Sequence, residues 1–250
     1  MAGISTASLA GTASHTRVPS PGPVGPLVRN VTMITKICGR YDVPKASSSW
    51  NPWQLRRVRY LGRVGVEVVG AVGRWEDFAS FMVPRKPGAG GCVCVVYRNS
   101  SLDMGGRIAL MRGLCEREPG PGVLAYVDGE VAGWCSIAPK ASYRALVNSR
   151  TIPHVDDAEA WSAVCFVVRP GFRRRGLMHD LLNGAVEHAR AMGATVVEGY
   201  PVDPDGSRID QTSGYVGTVA LFEAHGFERV QRTTGRRGGK QRWLVHRELA

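Results

Sequence analysis

Arg173, Arg174, Arg175 and Gly176 are the residues of this chain whose types point most directly to a ligand, and that ligand is an anion. Ahead of them runs WSAVCFVV, Trp161–Val168, which is apolar, β-branched and of strand length. Behind them runs LMHDLLNGAVEHARAMG. There Leu177, Met178, Leu181, Leu182, Ala185, Val186, Ala189 and Met192 recur on one helical face, and Gly193 supplies the stop. A strand feeding a basic, glycine-containing turn at a helix N-terminus aims unpaired backbone N–H groups and the positive end of the helix dipole at one point. That arrangement suits phosphate. An isolated arginine triplet is more simply a solvated charge run; the flanking strand and helix decide for phosphate here.

Proton transfer has fewer candidates. Glu198 sits within Thr195–Tyr200, where period-two alternation places it on one face with Val196 and Tyr200. A carboxylate in an apolar strand is either paired, most simply with an arginine, or acts as a base or amine-binding group. Tyr200 and Tyr215 are candidate acids, with aromatic packing as the plainer reading of each. His225 stands beside a helix stop as a cap or surface group, and His179 and Asp180 fall in a first helical turn, where the dipole alone favours Asp. His154 with Asp156 and Asp157 has the composition of a metal cluster, but such loop spacing is common, and Cys92-x-Cys94 lacks histidines at zinc spacing. No metal is expected.

At these residues the chain resembles the GNAT superfamily of N-acetyltransferases. Arg173-Arg174-Arg175-Gly176-Leu177-Met178 is similar to the family's (Arg/Gln)-x-x-Gly-x-(Gly/Ala) loop, which grips the pyrophosphate of acetyl-coenzyme A through backbone amides; Met178 stands where a small residue is usual. Val168-Arg169-Pro170 resembles the end of the family's fourth strand, and Leu221–Phe227 (LFEAHGF) its second diagnostic block. The resemblance spans about residues 70–250, with motif-level specificity from Gly122 to Phe227. It implies an α/β fold with a mixed, mostly antiparallel sheet flanked by helices, and acetyl-CoA as co-substrate, entering where the fourth and fifth strands splay. It also implies that the backbone of Phe166, Val167 and Val168 holds the pantetheine arm and carbonyl. Arg173, Arg174, Arg175, Gly176, Leu177 and Met178 would hold the pyrophosphate.

Two of the family's roles do not carry over. Phe222 stands where many members place a tyrosine acid, and Ser162 where glutamate-dependent relatives place a base. Acetyl transfer still needs a held coenzyme, a polarised carbonyl, a neutral amine and a protonated leaving thiolate. Glu198, Tyr200 and Tyr215 are the local candidates for that proton chemistry. The expected function is acetyl-CoA-dependent transfer to an amine, on a small molecule or a protein. One alternative is a catalytically silent acyl-CoA-binding regulatory module, which Phe222 and the missing strand carboxylate favour. Another is a toxin-like acetyltransferase acting on aminoacyl-tRNA, kept open by the basic loop Arg236-Arg237-Gly238-Gly239-Lys240, although such runs are usually solvated. A homodimer is left open.

The remaining elements follow from punctuation and period. Met1–Val28 is rich in Ser, Thr, Gly and Pro and reads as a disordered tail; Met33 is a candidate start, and 1–55 forms an extension ahead of an acetyltransferase domain over 56–250. Arg56–Val72 is a first strand or a basic linker, Trp75–Met82 a short helix, Cys92–Tyr97 a strand, and Ile108–Glu116 a second helix. Val123–Val127 and Val131–Ile137 flank Asp128-Gly129 as a hairpin. A short helix over Ala141–Asn148 precedes Trp161–Val168. Beyond the central helix come a strand over Thr195–Tyr200, a helix over Thr218–Ala224 stopped by Gly226, and a hairpin of Glu228–Thr234 with Gln241–Glu248.

With 250 residues, 44% of them hydrophobic, the chain can bury a substantial core. Its net charge of +11, from 32 basic and 21 acidic side chains, favours an anionic ligand, either a phosphorylated coenzyme or nucleic acid. The six cysteines form no CxxC pair, and a reducing, cytoplasmic setting is expected. No run of 18 apolar residues suggests a membrane span, and no apolar signal core is seen at the N-terminus.

Overall fold

The computed structural model describes residues 59–85, 92–153, 159–210 and 213–249. All lie in the compact unit Gly39–Ala250. The expected extension over 1–55, with Met33, lies outside these residues, as do His154, Asp156 and Asp157.

Among the described residues eight strands form one sheet: β1 Arg59–Leu61, β2 Val66–Gly70, β3 Val123–Val127, β4 Glu130–Pro139, β5 Trp161–Val168, β6 Val196–Gly199, β7 Glu228–Arg237 and β8 Lys240–Glu248. Their spatial order is β1-β2-β3-β4-β5-β6-β8-β7. Every neighbouring pair is antiparallel except β5 with β6. That one parallel pair needs a crossover, and the helix between its strands supplies it. The helices are α1 Trp75–Met82, α2 Met104–Cys115, α3 Arg144–Val147, α4 Leu177–Ala191 and α5 Val219–Glu223. The architecture is the mixed α/β sheet that the family resemblance implies.

Each face of the sheet carries its own core. On one face α4 lays Leu181, Leu182, Ala185 and Ala189 against Val68, Val123, Phe166 and Val197. Each fully buried leucine there is worth about 1.5–3 kcal/mol over exposure. Gly184 lets α4 close on β2, since a Cβ at that position would lie 2.4 Å from Val68 Cγ1. On the opposite face, Phe78 of α1 and Met111 and Cys115 of α2 pack with Trp134, Tyr143 and Tyr200. Phe78 and Trp134 meet edge to face, with ring centroids 4.8 Å apart. Among the described residues no helix is long and apolar enough to cross a membrane.

The hairpin at Asp128-Gly129, the helix over 75–82 and the strand over 161–168 stand where the sequence puts them. Four elements differ. Cys92–Tyr97 is irregular, because Cys94 takes a left-handed φ of 54° and the chain then turns back through Arg98 and Asn99 N–H bonds to the Val95 carbonyl. The basic run after Arg59 is two strands, broken by a turn in which Gly65 has φ 79°. Helix α2 begins four residues earlier than its apolar period suggests, because Asp103 caps it by accepting from Gly106 N–H at 2.7 Å. Finally, β7 and β8 extend through most of the supposed loop and turn only at Gly238-Gly239, both with positive φ.

Candidate functional site

The site begins with a break in strand pairing. Strand β5 pairs with β6 only through Trp161–Ala163 opposite Val197–Gly199. Its register with β4 slips there, Ser136 facing Cys165 and Ile137 facing Ala163, so that Val164 is an extra residue. Such a bulge bends a strand and increases its twist. Beyond it, Phe166, Val167 and Val168 run without β6 beside them. A cavity of about 560 Å³ lies between these residues and the segment that carries Ile209, Gly214, Tyr215 and Thr218. That volume falls within the range of small-molecule sites.

The basic loop closes one end of this cavity, where Arg173, Arg174, Gly176, Leu177, Met178 and His179 line the wall. Pro170–Phe172 forms a single 3₁₀ turn, Arg174 takes φ 58°, and Gly176 takes φ 76° as the residue before α4. His179 N–H bonds to the Gly176 carbonyl, whereas no acceptor among the described residues meets the N–H groups of Gly176, Leu177 or Met178. Three donors and a helix dipole thus converge at the end of the cavity. The side chains of the triplet are partly engaged: Arg173 Nε donates to the Val168 carbonyl at 3.0 Å, and Arg175 lies over the Phe172 ring. From outside the loop, Arg63 of the β1–β2 turn brings its guanidinium to 3.3 Å from where a Gly176 Cβ would be, and pairs with Asp180 at 2.9 Å.

The proton-transfer candidates fall into two groups. Glu198 is buried, with Lys140 Nζ 3.1 Å from Oε1 and 2.9 Å from Oε2, and Tyr200 donating its hydroxyl to Oε2 at 2.7 Å. Ser162 Oγ is 3.1 Å from the Tyr200 hydroxyl. Burial, then the Glu198 charge, pushes the Tyr200 phenol well above its ordinary range. Tyr215 by contrast lines the cavity. Its phenol is raised by burial first and by Tyr97 second, while Arg237, whose Cζ lies 4.7 Å from the ring centroid, acts the other way. Arg242 Nη2 donates to the Tyr97 hydroxyl at 3.2 Å.

Phe222 does not reach the cavity. It is fully buried between Phe166 and Phe227, with ring centroids 6.0 and 4.9 Å away. His179 Nδ1 and His225 Nε2 are 2.9 Å apart, and burial, followed by the neighbouring His179 and Arg247, lowers the His225 pKa. Among the described residues no three His, Cys, Asp or Glu side chains gather as a metal would require. Sequence reasoning missed Arg63, Lys140 and Tyr97. Their partners are 117, 58 and 145 residues away, and no local pattern marks them.

With that geometry in hand, comparison with known proteins is informative over part of the chain. No curated protein sequence matches it. Ard1 from Thermoplasma volcanium is 14% identical over 74% of this chain and 99% of its own, with a TM-score of 0.44. The acetyltransferase of the GNAT family from Streptococcus pneumoniae gives the same four figures. For yncA from Salmonella typhimurium, solved with its cofactor acetyl-CoA, the identity is 14% over 74% of this chain and 95% of that one, with a TM-score of 0.43. Residues 97–207 match the family model "Acetyltransferase (GNAT) family", a span that holds α2, β3 to β6, the basic loop and α4. Over this span the chain is similar to a GNAT acetyltransferase domain.

Proposed function

We propose that this protein is an acetyl-CoA-dependent N-acetyltransferase whose donor lies in the cavity between β5 and Tyr215. The observation that carries the reading is the meeting of three unpaired N–H groups, at Gly176, Leu177 and Met178, with the end of that cavity. The residues present fit a coenzyme with a pyrophosphate at one end and an apolar arm. Donors and arginines lie at the loop, and Phe166, Val167, Leu177 and Leu221 lie along the wall. The bound coenzyme supplies the activated acetyl thioester.

In the transfer the acceptor nitrogen attacks the thioester carbonyl carbon, the C–N bond forms and the C–S bond breaks. The leaving sulfur takes a proton from Tyr215, whose burial keeps the phenol protonated at neutral pH; the surplus proton of the acceptor nitrogen passes to water, and the tyrosinate is reprotonated from solvent. Glu198, its oxygens already taken by Lys140 and Tyr200, positions Tyr200 at the base of the splay. The acceptor therefore arrives as the neutral amine, a minor fraction at pH 7 for an amine of pKa near 10.

Gly176→Asp tests the donor site. Aspartate tolerates left-handed backbone better than most residues, and its carboxylate would lie beside the Arg63 guanidinium and over the free N–H groups. Calorimetry should show loss of acetyl-CoA binding with an unchanged circular dichroism spectrum. Wild-type affinity in that variant would remove the basis of the assignment. A second reading, a silent acyl-CoA-binding module, rests on Phe222, which is packed away from the cavity. Turnover of acetyl-CoA with a broad amine panel would exclude it, and tight binding without turnover would support it.

A further inference from the structure

The β1–β2 turn lies outside the span matched by the family model, yet it places the Arg63 guanidinium beside Gly176 of the basic loop. It is a tight structure. Gly62 N–H bonds to the Val66 carbonyl at 3.0 Å, Val66 N–H to the Arg63 carbonyl at 2.8 Å, and Asp128 N–H to the Gly65 carbonyl at 2.9 Å. Glycine at 62 permits the docking, because a Cβ there would come within 2.7 Å of Asp180 Oδ1. The turn is thus pinned to the first turn of α4 and carries Arg63 with it.

Arg63 spends only part of its guanidinium on that contact. Nε and Nη2 both donate to Asp180 Oδ2, at 3.3 and 2.9 Å. Nη1 makes no hydrogen bond among the described residues, and it and Nη2 both lie 3.3 Å from where a Gly176 Cβ would be. The Asp180 side chain is 6% exposed and that of Arg63 57%, so the carboxylate is fixed in the protein while the free end of the fork faces solvent over the loop. A planar guanidinium anchored through one edge and open at the other is suited to bind two anions at once. Asp180 matters to the same balance. Its charge stands at the end of a helix that would bind phosphate, and Arg63 neutralises it.

We infer that Arg63, held by Asp180, is a direct ligand of the coenzyme's diphosphate, closing the phosphate site from a turn outside the family-matched span. This rests on the acetyl-CoA reading of the cavity. Arg63 binds the diphosphate through Nη1, while the amides of Gly176, Leu177 and Met178 bind it from the loop side. Its contribution is confined to donors that carry phosphate.

The experiment compares wild type, Arg63→Lys, Arg63→Gln and Arg63→Gln/Asp180→Asn, each checked for fold by circular dichroism and melting temperature. Affinity for acetyl-CoA is measured by calorimetry, and the KM for S-acetylpantetheine, which has no phosphate, by turnover. Arg63→Gln should weaken acetyl-CoA about tenfold or more, Arg63→Lys less, and the acetylpantetheine KM should not change in either. The double variant removes the buried carboxylate charge together with its partner. It should bind acetyl-CoA more tightly than Arg63→Gln and less tightly than wild type, and it supplies the test if Arg63→Gln alone fails to fold. Wild-type acetyl-CoA affinity in the folded double variant would overturn the inference, as would equal losses for the two donors. If wild type itself binds no acetyl-CoA, the coenzyme reading fails, and this inference with it.

Discussion

Lys140 Nζ lies 2.9 Å from Glu198 Oε2, joining the end of β4 to the middle of β6 across the strand between them. Both side chains are largely buried, at 13% and 8% exposure. Removing one member of such a pair leaves the other charge without compensation, a loss of about 3–5 kcal/mol. The ion pair therefore moves the expected effect of Glu198→Gln from catalysis to stability. The variant should unfold at markedly lower denaturant, while kcat/KM per folded molecule falls less than about tenfold. Lys140→Met/Glu198→Gln should regain much of the lost stability. A fall in kcat/KM of roughly 10²-fold in a well-folded Glu198→Gln enzyme would instead make this carboxylate the base.

The ring of Phe222 occupies the space that a side chain on Gly199 would need. A Cβ at 199 would lie 2.2 Å from Phe222 Cε1 and 2.6 Å from Cζ. Gly199→Ala should accordingly cost about 1–3 kcal/mol through overpacking, and trimming the ring in Gly199→Ala/Phe222→Leu should relieve part of it. Chemical denaturation of the four forms closes the cycle. Strict additivity would show that the two residues do not share this space in solution.

The motif region was legible because its signals are local. The apolar period of Leu177–Ala191, the glycine turn at Gly176 before it and the strand ahead of it each lie within a few residues of one another. Thr218, which the sequence puts inside its helix, stands just ahead of it, where its side chain accepts from Leu221 N–H as an N-cap does. The partner of Glu198 was not legible. Alternation placed the carboxylate on the correct face with Tyr200, but its cation comes from Lys140, 58 residues earlier, rather than from one of the many arginines. Cys92–Tyr97 misled for the opposite reason. Its composition is that of a strand, and the left-handed turn at Cys94 goes with tertiary contacts, among them the Trp134 indole donating to Cys94 Sγ.

His188 gives the fold a pH dependence of known sign. It lies on α4 under Trp161, with Nε2 3.2 Å from the Pro119 carbonyl and Nδ1 buried without a partner. Burial lowers its pKa, against smaller opposing effects of the Pro119 hydrogen bond and Glu118. The unfolded chain therefore binds the proton more readily than the fold does. The neutral ring's contribution is complete above an unfolded value of about 6.5 and is lost as pH falls from there toward the lowered folded value. The unfolding free energy of wild type, relative to His188→Gln, should be flat above pH 7 and should decline as pH falls below about 6.5. An equal pH dependence in both proteins would show that His188 is not the titrating group.

Tyr215 carries the sharpest test of the proposed chemistry, because it is the tyrosine that reaches both the cavity wall and the Tyr97–Arg242 pair. Tyr215→Phe keeps the ring under Arg237 and removes the hydroxyl. If the phenol protonates the leaving thiolate, kcat should fall by about 10²-fold, with acetyl-CoA affinity unchanged. The size of the defect should follow the leaving group. A coenzyme thiol has a pKa near 8.5 and gains from protonation. An aryl thiol leaves readily as its anion, so a short aryl thioester should be used almost equally well by wild type and Tyr215→Phe. In both proteins the rate should still rise with pH toward the pKa of the free amine, because the proton lost by the acceptor does not pass through Tyr215. A defect of the same size with both thioesters would mean that the hydroxyl shapes the cavity and gives up no proton.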